Sequence, residues 1–437
     1  MVDKVCIIGG GLAGSSAALA LADRGIESTL YEMRPSKMTP AHTSGNLSEL
    51  VCSNSMGSRE TFSANGLLMA ELQMLSCPIL KIADRNTVPA GKALAVDRVA
   101  FALDVTQAIE SNPLIELARE EMKSISSDGI VIIATGPLTS ESLINDLKQL
   151  TSEDDLFFFD ATSPSVTLDS IDMSRSFWAN RRDPSGSDYL NCPMDKDEFD
   201  IFFNALVNAE RTEIRDFEPD KVFESCLPIE LIASRDSEAL RFGPLKPIGL
   251  KDPSTGKMPW AVVQLRREDS AGEKLNLVGF QTRLKYSEQK RVFGLIPALR
   301  ETRWVRFGHM HKNFYLNAPI LMDEFLRLKS DPRIYFAGQI TGGEGYLEAV
   351  SQGFLTAVNI ARECHDLNPI LFPNETMLGA FPRTLMNSAP GKYQPMKVSF
   401  GMLPPLEKNI RGRRPRREKQ TERSLETLRD FIVKFNP

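Results

Sequence analysis

The segment Gly9-Gly10-Gly11-Leu12-Ala13-Gly14 constrains this chain more than any other. It follows a short apolar run, Lys4 to Ile8, and precedes an alanine- and leucine-rich stretch, Ser15 to Arg24, that stops at Gly25. The pattern predicts a strand, a tight turn and a helix, with Ile26 to Tyr31 as the next strand and Glu32 at its end. Gly9, Gly11 and Gly14 fill the glycine positions of GxGxxG. The first permits the turn, the second lets backbone approach a pyrophosphate, and the third packs helix on strand. The helix N-terminus then aims amide donors at phosphates. Glu32 stands 18 residues after Gly14, where a carboxylate accepts hydrogen bonds from ribose hydroxyls. GxGxxG alone is a weak signal; between a strand and a helix, with the acid in place, it predicts a dinucleotide site. The expected contacts are Gly9, Gly10, Gly11, Leu12, Ala13, Gly14 and Glu32.

Two later elements narrow the dinucleotide to FAD. Ile130 to Ile133 is an apolar strand running into Ala134-Thr135-Gly136, and Arg333 to Phe336 runs into Ala337-Gly338-Gln339. Two-dinucleotide-binding flavoproteins carry similar elements: the first closes over the nucleotide domain, the second meets the ribityl chain. Thr135, Gly136, Gly338 and Gln339 therefore join the expected site, with Gln339 standing where an acid is commoner. No second GxGxxG follows, so a nicotinamide reductant, NADH or NADPH, would bind without a domain of its own. The fold class expected is α/β: a Rossmann-like FAD-binding domain of glutathione-reductase type with an inserted α+β domain. Its first part covers 1–140, the inserted substrate or RNA domain 141–299, its second part 300–372, and a C-terminal extension 373–437. The insert mixes helical pattern (Lys196 to Ala209) with strand pattern (Trp260 to Leu265, Leu275 to Phe280), and the extension ends in a helical segment, Thr421 to Val433.

Composition limits the partners and the compartment. No apolar run reaches the roughly 18–20 residues that span a bilayer, and the N-terminus lacks a signal-peptide pattern. Six scattered cysteines without a CxxC pair suit reduced thiols in the cytoplasm, not a disulfide framework or a metal site. A net charge of −5 argues against generic nucleic-acid binding. Affinity for phosphates depends on local patches, however. There are two: Arg283, Lys285, Lys290 and Arg291; and Arg411, Arg413, Arg414, Arg416 and Arg417. Either is equally readable as a solvated face.

Cys52, in Leu50-Val51-Cys52-Ser53-Asn54-Ser55, and Cys226, in Ser225-Cys226-Leu227-Pro228, have the flanks of loop residues. Cysteine is often a small buried hydrophobe, but loops held on a scaffold are where reactive thiols occur. His42, His309 and His311 are candidates for proton transfer or folate contact, and Glu344, after a glycine turn, for the flavin edge.

Ordered blocks then carry a resemblance. They include Glu32-Met33-Arg34-Pro35, Leu50 to Ser55, Leu94-Ala95-Val96-Asp97-Arg98, Ala134 to Thr139, Tyr189 to Met194, Leu240 to Pro244, Asn276 to Thr282 and Phe336 to Gly342. From residue 4 to about 405 the chain resembles the bacterial folate- and FAD-dependent tRNA (uracil-5-)-methyltransferases of the TrmFO type. It departs in small ways, such as Gly10 where alanine is commoner. The resemblance implies formation of 5-methyluridine at position 54 in the T-loop, with the T-arm of tRNA as partner and no obligatory protein partner. Methylenetetrahydrofolate would supply the carbon, and NADH or NADPH the reducing power. Uracil C5 is a poor nucleophile, and a thiolate adding at C6 would activate it. Methylenetetrahydrofolate carries carbon at the formaldehyde level, so making a methyl group needs two more electrons, which reduced FAD can provide. Cys52 and Cys226 match the family's two functional cysteines, with Cys226 read as the C6 nucleophile and Cys52 as assisting near the flavin. The same chemistry would serve a ribosomal RNA uridine. Wobble-uridine modification of the glucose-inhibited division protein type is a further alternative.

Overall fold

The computed structural model describes residues 4–126, 128–151, 156–181, 183, 186–213, 222, 227–389, 391, 393–407 and 410–437. Its first sheet has six strands in the order Arg327–Leu328, Asp331–Phe336, Val131–Ile133, Val5–Ile8, Ser28–Tyr31 and Ile115–Ala118. All neighbours run parallel except the edge pair Arg327–Leu328 and Asp331–Phe336. Val131–Ile133 is buried throughout and Val5–Ile8 nearly so, as expected of parallel strands covered on both faces. Register brings the strand ends together: Ile8 lies opposite Tyr31 and Ile133, and Ile133 opposite Phe336. The turns that follow, at Gly9, Glu32, Ala134 and Ala337, therefore open on one edge of the sheet, where α/β sheets bind ligands.

Two largely buried helices follow the first and last of these turns. Every residue of Leu12–Ala22 is buried, so alanines and leucines on all its faces are in place. It packs on Tyr346–Cys364, where a Cβ at Gly353 would stand 2.0 Å from the Ala13 carbonyl oxygen. Ser16 Oγ donates to the Val350 carbonyl at 2.9 Å across the same contact.

The second sheet is antiparallel, in the order Phe177–Trp178, Tyr189–Met194, Ala261–Arg267, Lys274–Leu277, Ser165–Thr167 and Trp304–Arg306. Helix Lys196–Val207, closed by a capping box between Asp195 and Glu198, packs Phe199 and Phe202 into its core. A two-stranded ribbon, Leu156–Ala161 with Met310–Tyr315, leads between the two sheets and sets His311 opposite Asp160.

Local structure departs from the sequence pattern in three places. The strand expected to Phe280 ends at Leu277, before Gly279 turns with φ 79°. The last helix starts at Arg413 and runs to Phe435, through the arginine run. Arginine is a good helix former, and Pro415 sits in the first turn, where an amide hydrogen has no helical partner. Helix Met377–Met386 forms around Pro382 in the proline-rich stretch. Buried Glu71 accepts from the Met377 and Leu378 amides at 2.8 and 2.9 Å and from Ser424 Oγ at 2.6 Å, tying the extension to helix Ala64–Met74. Among the described residues no single helix is long and apolar enough to cross a membrane.

Candidate active site

A cleft of about 350 Å³ lies along the open edge of the first sheet, walled by all three glycine turns. At the first turn Gly9 has φ 108°, and a Cβ on Gly14 would sit 1.9 Å from the Gly9 carbonyl oxygen. Only hydrogen fits there. A Cβ on Gly11 would instead meet nothing within 4 Å, so this residue opens onto the cleft. Helix Leu12–Ala22 starts at Gly11 without a side-chain cap or an acid in its first turn. Its first amides are left to a ligand, and the arrangement fits a pyrophosphate.

Glu32 is more occupied than its sequence position implied. One carboxylate oxygen accepts from the Arg34 amide at 3.0 Å and Nε at 2.9 Å. The other accepts from the Gly10 amide at 3.0 Å and Arg34 Nη2 at 3.1 Å. Burial pushes this carboxyl up, but the Arg34 contacts outweigh burial and hold it below the ordinary range. Four hydrogen bonds are about all that a carboxylate accepts. Arg34 thus stands beside Glu32 at the expected ribose position.

The second turn sets Thr135 Oγ1 2.7 Å from Thr139 Oγ1 and gives Gly136 φ 66°. In the third, Gly338 has φ 86° and its amide donates to Gln352 Oε1 at 2.7 Å. Gln339 Nε2 donates to Glu344, which is buried; burial, then the charge of Asp160, push its carboxyl well above the ordinary range. A protonated Glu344 can donate as well as accept. Helix Tyr346–Cys364 begins here, also without a side-chain cap.

Cys52 lines the same cleft, in a loop. Its amide donates to Tyr346 Oη at 3.0 Å, and Sγ lies 3.9 Å from the Ala161 carbonyl oxygen. Behind the loop, the Val51 carbonyl accepts from Arg98 Nη1 at 3.5 Å and Arg306 Nη1 at 3.4 Å. Both arginines pair with Glu268, at 2.6 and 3.1 Å. Burial raises the Glu268 carboxyl; Arg98, Arg306 and their neighbours outweigh that and lower it. Glu268 extends from the second sheet and Arg98 from helix Arg98–Glu110, so the pairing joins both halves under Cys52.

His42 and His311 also line the cleft. Burial, reinforced by Arg34, lowers His42 to about 4; burial and the neighbouring His309 lower His311 to about 4. Both rings are neutral near pH 7 and hold a proton only weakly. His309 does not line the cleft but lies one ring away, 6.1 Å from His311.

The cleft therefore gathers Gly9, Gly10, Gly11, Leu12, Ala13, Glu32, Thr135, Gly136, Gly338, Gln339, Cys52 and Glu344, with Gly14 beneath the turn. Cys226 lies outside the described residues. In the first basic patch Lys285 pairs with Glu210 at 2.7 Å and Arg291 with Glu288 at 2.6 Å; in the second Arg414 pairs with Glu418 at 2.9 Å. Sequence reasoning missed the roles of Arg34, Arg98, Glu268, Arg306 and Asp160. Arg34 and Arg98 lie in blocks already singled out, whereas Glu268 and Arg306 carry no local motif.

Comparison with known proteins follows the same lines. The family model described as glucose inhibited division protein A matches residues 4–368. A protein of Thermotoga neapolitana named methylenetetrahydrofolate–tRNA-(uracil-5-)-methyltransferase TrmFO is 50% identical over 434 residues, 99% of each chain. One of the same name from Aquifex aeolicus is 49% identical over 436 residues, 100% of this chain and 98% of its own. In fold, the chain is similar to the crystal structure of Aquifex aeolicus GidA, with a TM-score of 0.70 at 16% identity over 98% of this chain and 75% of that one. The chain belongs to the glucose inhibited division protein A family and, within it, to the TrmFO group.

Proposed function

We propose that this chain forms 5-methyluridine in tRNA from methylenetetrahydrofolate with bound FAD. Its target is position 54 of the T-loop, its reductant NADH or NADPH, and its location the cytoplasm. Identity of about half with methyltransferases of that name over the whole length supports the reading. The structural observation that carries it is Cys52, a thiol held in the same cleft as the three glycine turns.

When bound, FAD supplies the two electrons that bring the transferred carbon to the methyl level. The chain's own residues do the rest. Gly11 and the uncapped helix start would hold the pyrophosphate, Arg34, set by Glu32, the ribose, and Gly338-Gln339 the ribityl chain. Cys226 is the proposed nucleophile at uracil C6, making C5 able to attack the one-carbon unit. Cys52, positioned by Tyr346, is the proposed acceptor of the C5 proton; neutral His42 and His311 line the same cleft.

The test is incubation with unmodified tRNA, labelled methylenetetrahydrofolate and NADH or NADPH, followed by nucleoside analysis. Label in 5-methyluridine of the T-loop is expected; none in tRNA overturns the reading. Trapping on RNA containing 5-fluorouracil tests the thiols separately. Cys226→Ala should abolish the covalent adduct, and an unchanged adduct would remove Cys226 from the nucleophile's place.

A further inference from the structure

A column of aromatic rings runs from the core of the second sheet to the surface beside the cleft. Fully buried Phe280 meets Phe293 at 5.2 Å between centroids, and Phe293 meets Trp304 at 6.1 Å. Trp304 stacks on Phe307 at 6.1 Å and Phe307 on Tyr286 at 5.0 Å, each pair with planes 21° apart. Tyr286 ends the column with 49% of its surface exposed. His309 stands edge-on to it at 5.1 Å, its Nδ1 2.8 Å from the Tyr286 hydroxyl, and the next ring, His311, lines the cleft.

The surroundings of the outer ring are basic. Residues 283–306 carry seven basic and two acidic side chains in a chain whose net charge is −5. Lys285, Arg291, Arg303 and Arg306 have acidic partners, while Lys290 Nζ lies 5.5 Å from the Phe307 ring centre. Unstacked bases of RNA loops are held by such means: an aromatic face for the base and nearby cations for the backbone. The inner rings fix the outer one, so little ordering cost falls on binding. Trp304, Phe307 and Tyr286 lie outside the cleft that the flavin elements wall, which favours the macromolecular substrate over the folate as occupant.

We infer that Tyr286, at the end of the Trp304–Phe307–Tyr286 column, is a stacking platform for an unpaired base of the RNA loop whose uridine enters the cleft. The inference rests on the tRNA reading and deepens it by assigning a contact surface. The base flanking the target stacks on the tyrosine ring, and Lys290 and its basic neighbours meet the adjoining phosphates.

The test measures binding of full-length unmodified tRNA by fluorescence anisotropy for wild type, Tyr286→Phe and Tyr286→Ala, alongside steady-state kinetics. Tyr286→Ala should weaken tRNA binding by about 5- to 150-fold, the range that stacking of one base supports. Tyr286→Phe, which keeps the ring, should stay within about 2-fold of wild type on the same scale. The flavin absorbance and the circular dichroism spectrum report whether each variant is folded; Tyr286→Leu replaces Tyr286→Ala if that variant is not. Wild-type affinity in the variant without the ring overturns the inference. So does a loss that appears in the KM for methylenetetrahydrofolate, which would place the folate on this ring. If wild type neither binds nor methylates tRNA, the tRNA reading itself fails and this inference with it.

Discussion

The Tyr346 hydroxyl accepts hydrogen bonds from the backbone amides of Cys52 at 3.0 Å and Ser53 at 3.2 Å, joining residues 294 apart in the chain. The first turn of the long helix after the third glycine turn is thereby fastened to the thiol loop. Burial pushes the Tyr346 hydroxyl well above its ordinary pKa, so it stays protonated and neutral. Tyr346→Phe leaves two amides without that acceptor, at about 1–3 kcal/mol for each unsatisfied group. The variant should keep its fold and its flavin. Amide hydrogen exchange at Cys52 and Ser53 should speed by about 10-fold or more, and turnover should fall with it. Unchanged exchange would show that the loop is held by other contacts.

The two inner glycines of the first turn should fail differently. Gly14→Ala forces a methyl group to within 1.9 Å of the Gly9 carbonyl, so the turn cannot close and the folded yield should collapse. Gly11→Ala meets no protein atom within 4 Å. It should fold with ordinary thermal stability but lose FAD affinity by about 10-fold or more, because the methyl occupies the space of the pyrophosphate. Equilibrium dialysis of FAD and a melting curve on the apoprotein separate the two. A Gly11→Ala protein with wild-type FAD affinity would contradict the placement.

Glu268 neutralises Arg98 and Arg306 where all three are largely out of water. Removing one partner of a buried charge network costs about 3–5 kcal/mol, since the remaining charges lose their compensation. Glu268→Ala should therefore lower the urea midpoint sharply. The double variant Glu268→Gln with Arg98→Met should recover part of the loss, because one uncompensated cation is removed with the acid. Additive losses in the double variant would argue against coupling.

Stability should fall with acid through the two cleft histidines. Their folded pKa of about 4 lies below the ordinary 6.5, so between those values the unfolded chain binds more protons. Their stabilising contribution is full above pH 6.5 and is lost as pH drops through about 4. Melting temperatures of His42→Gln and His311→Gln between pH 7.5 and 4.5 should show a shallower decline than wild type. Parallel curves would mean that the rings are protonated without penalty.

Much of this fold could be read locally. The strand–turn–helix at residues 4–22, the apolar strands before Thr135 and Gly338, and helix Lys196–Val207 follow from periodicity, glycine placement and a capping box spanning a few residues. Helix Met377–Met386 could not, because its cap includes Glu71, some 300 residues earlier, and its own sequence contains Pro382. The run from Arg411 to Arg417 read as a possible phosphate patch before an unassigned stretch; the structure sets Arg413 to Arg417 on the first turns of a helix, which the local pattern had begun only at Thr421.

What the sequence determined by itself was the nucleotide turn: Gly9 acts through backbone torsion and Gly14 through the room left by a missing Cβ against the Gly9 carbonyl, both settled within six residues. Glu32 was found the same way, but only the folded chain filled its carboxylate with Arg34 and Gly10. Tertiary structure alone decided that Cys52 is fastened by Tyr346 and backed by Arg98, Arg306 and Glu268. Those contacts depend on how two sheets are set against each other by a ribbon, and no local pattern encodes that distance. The physical reason is the reach of the forces: a backbone turn is specified by its neighbours, whereas a buried charge or hydroxyl finds its partner only where packing brings it.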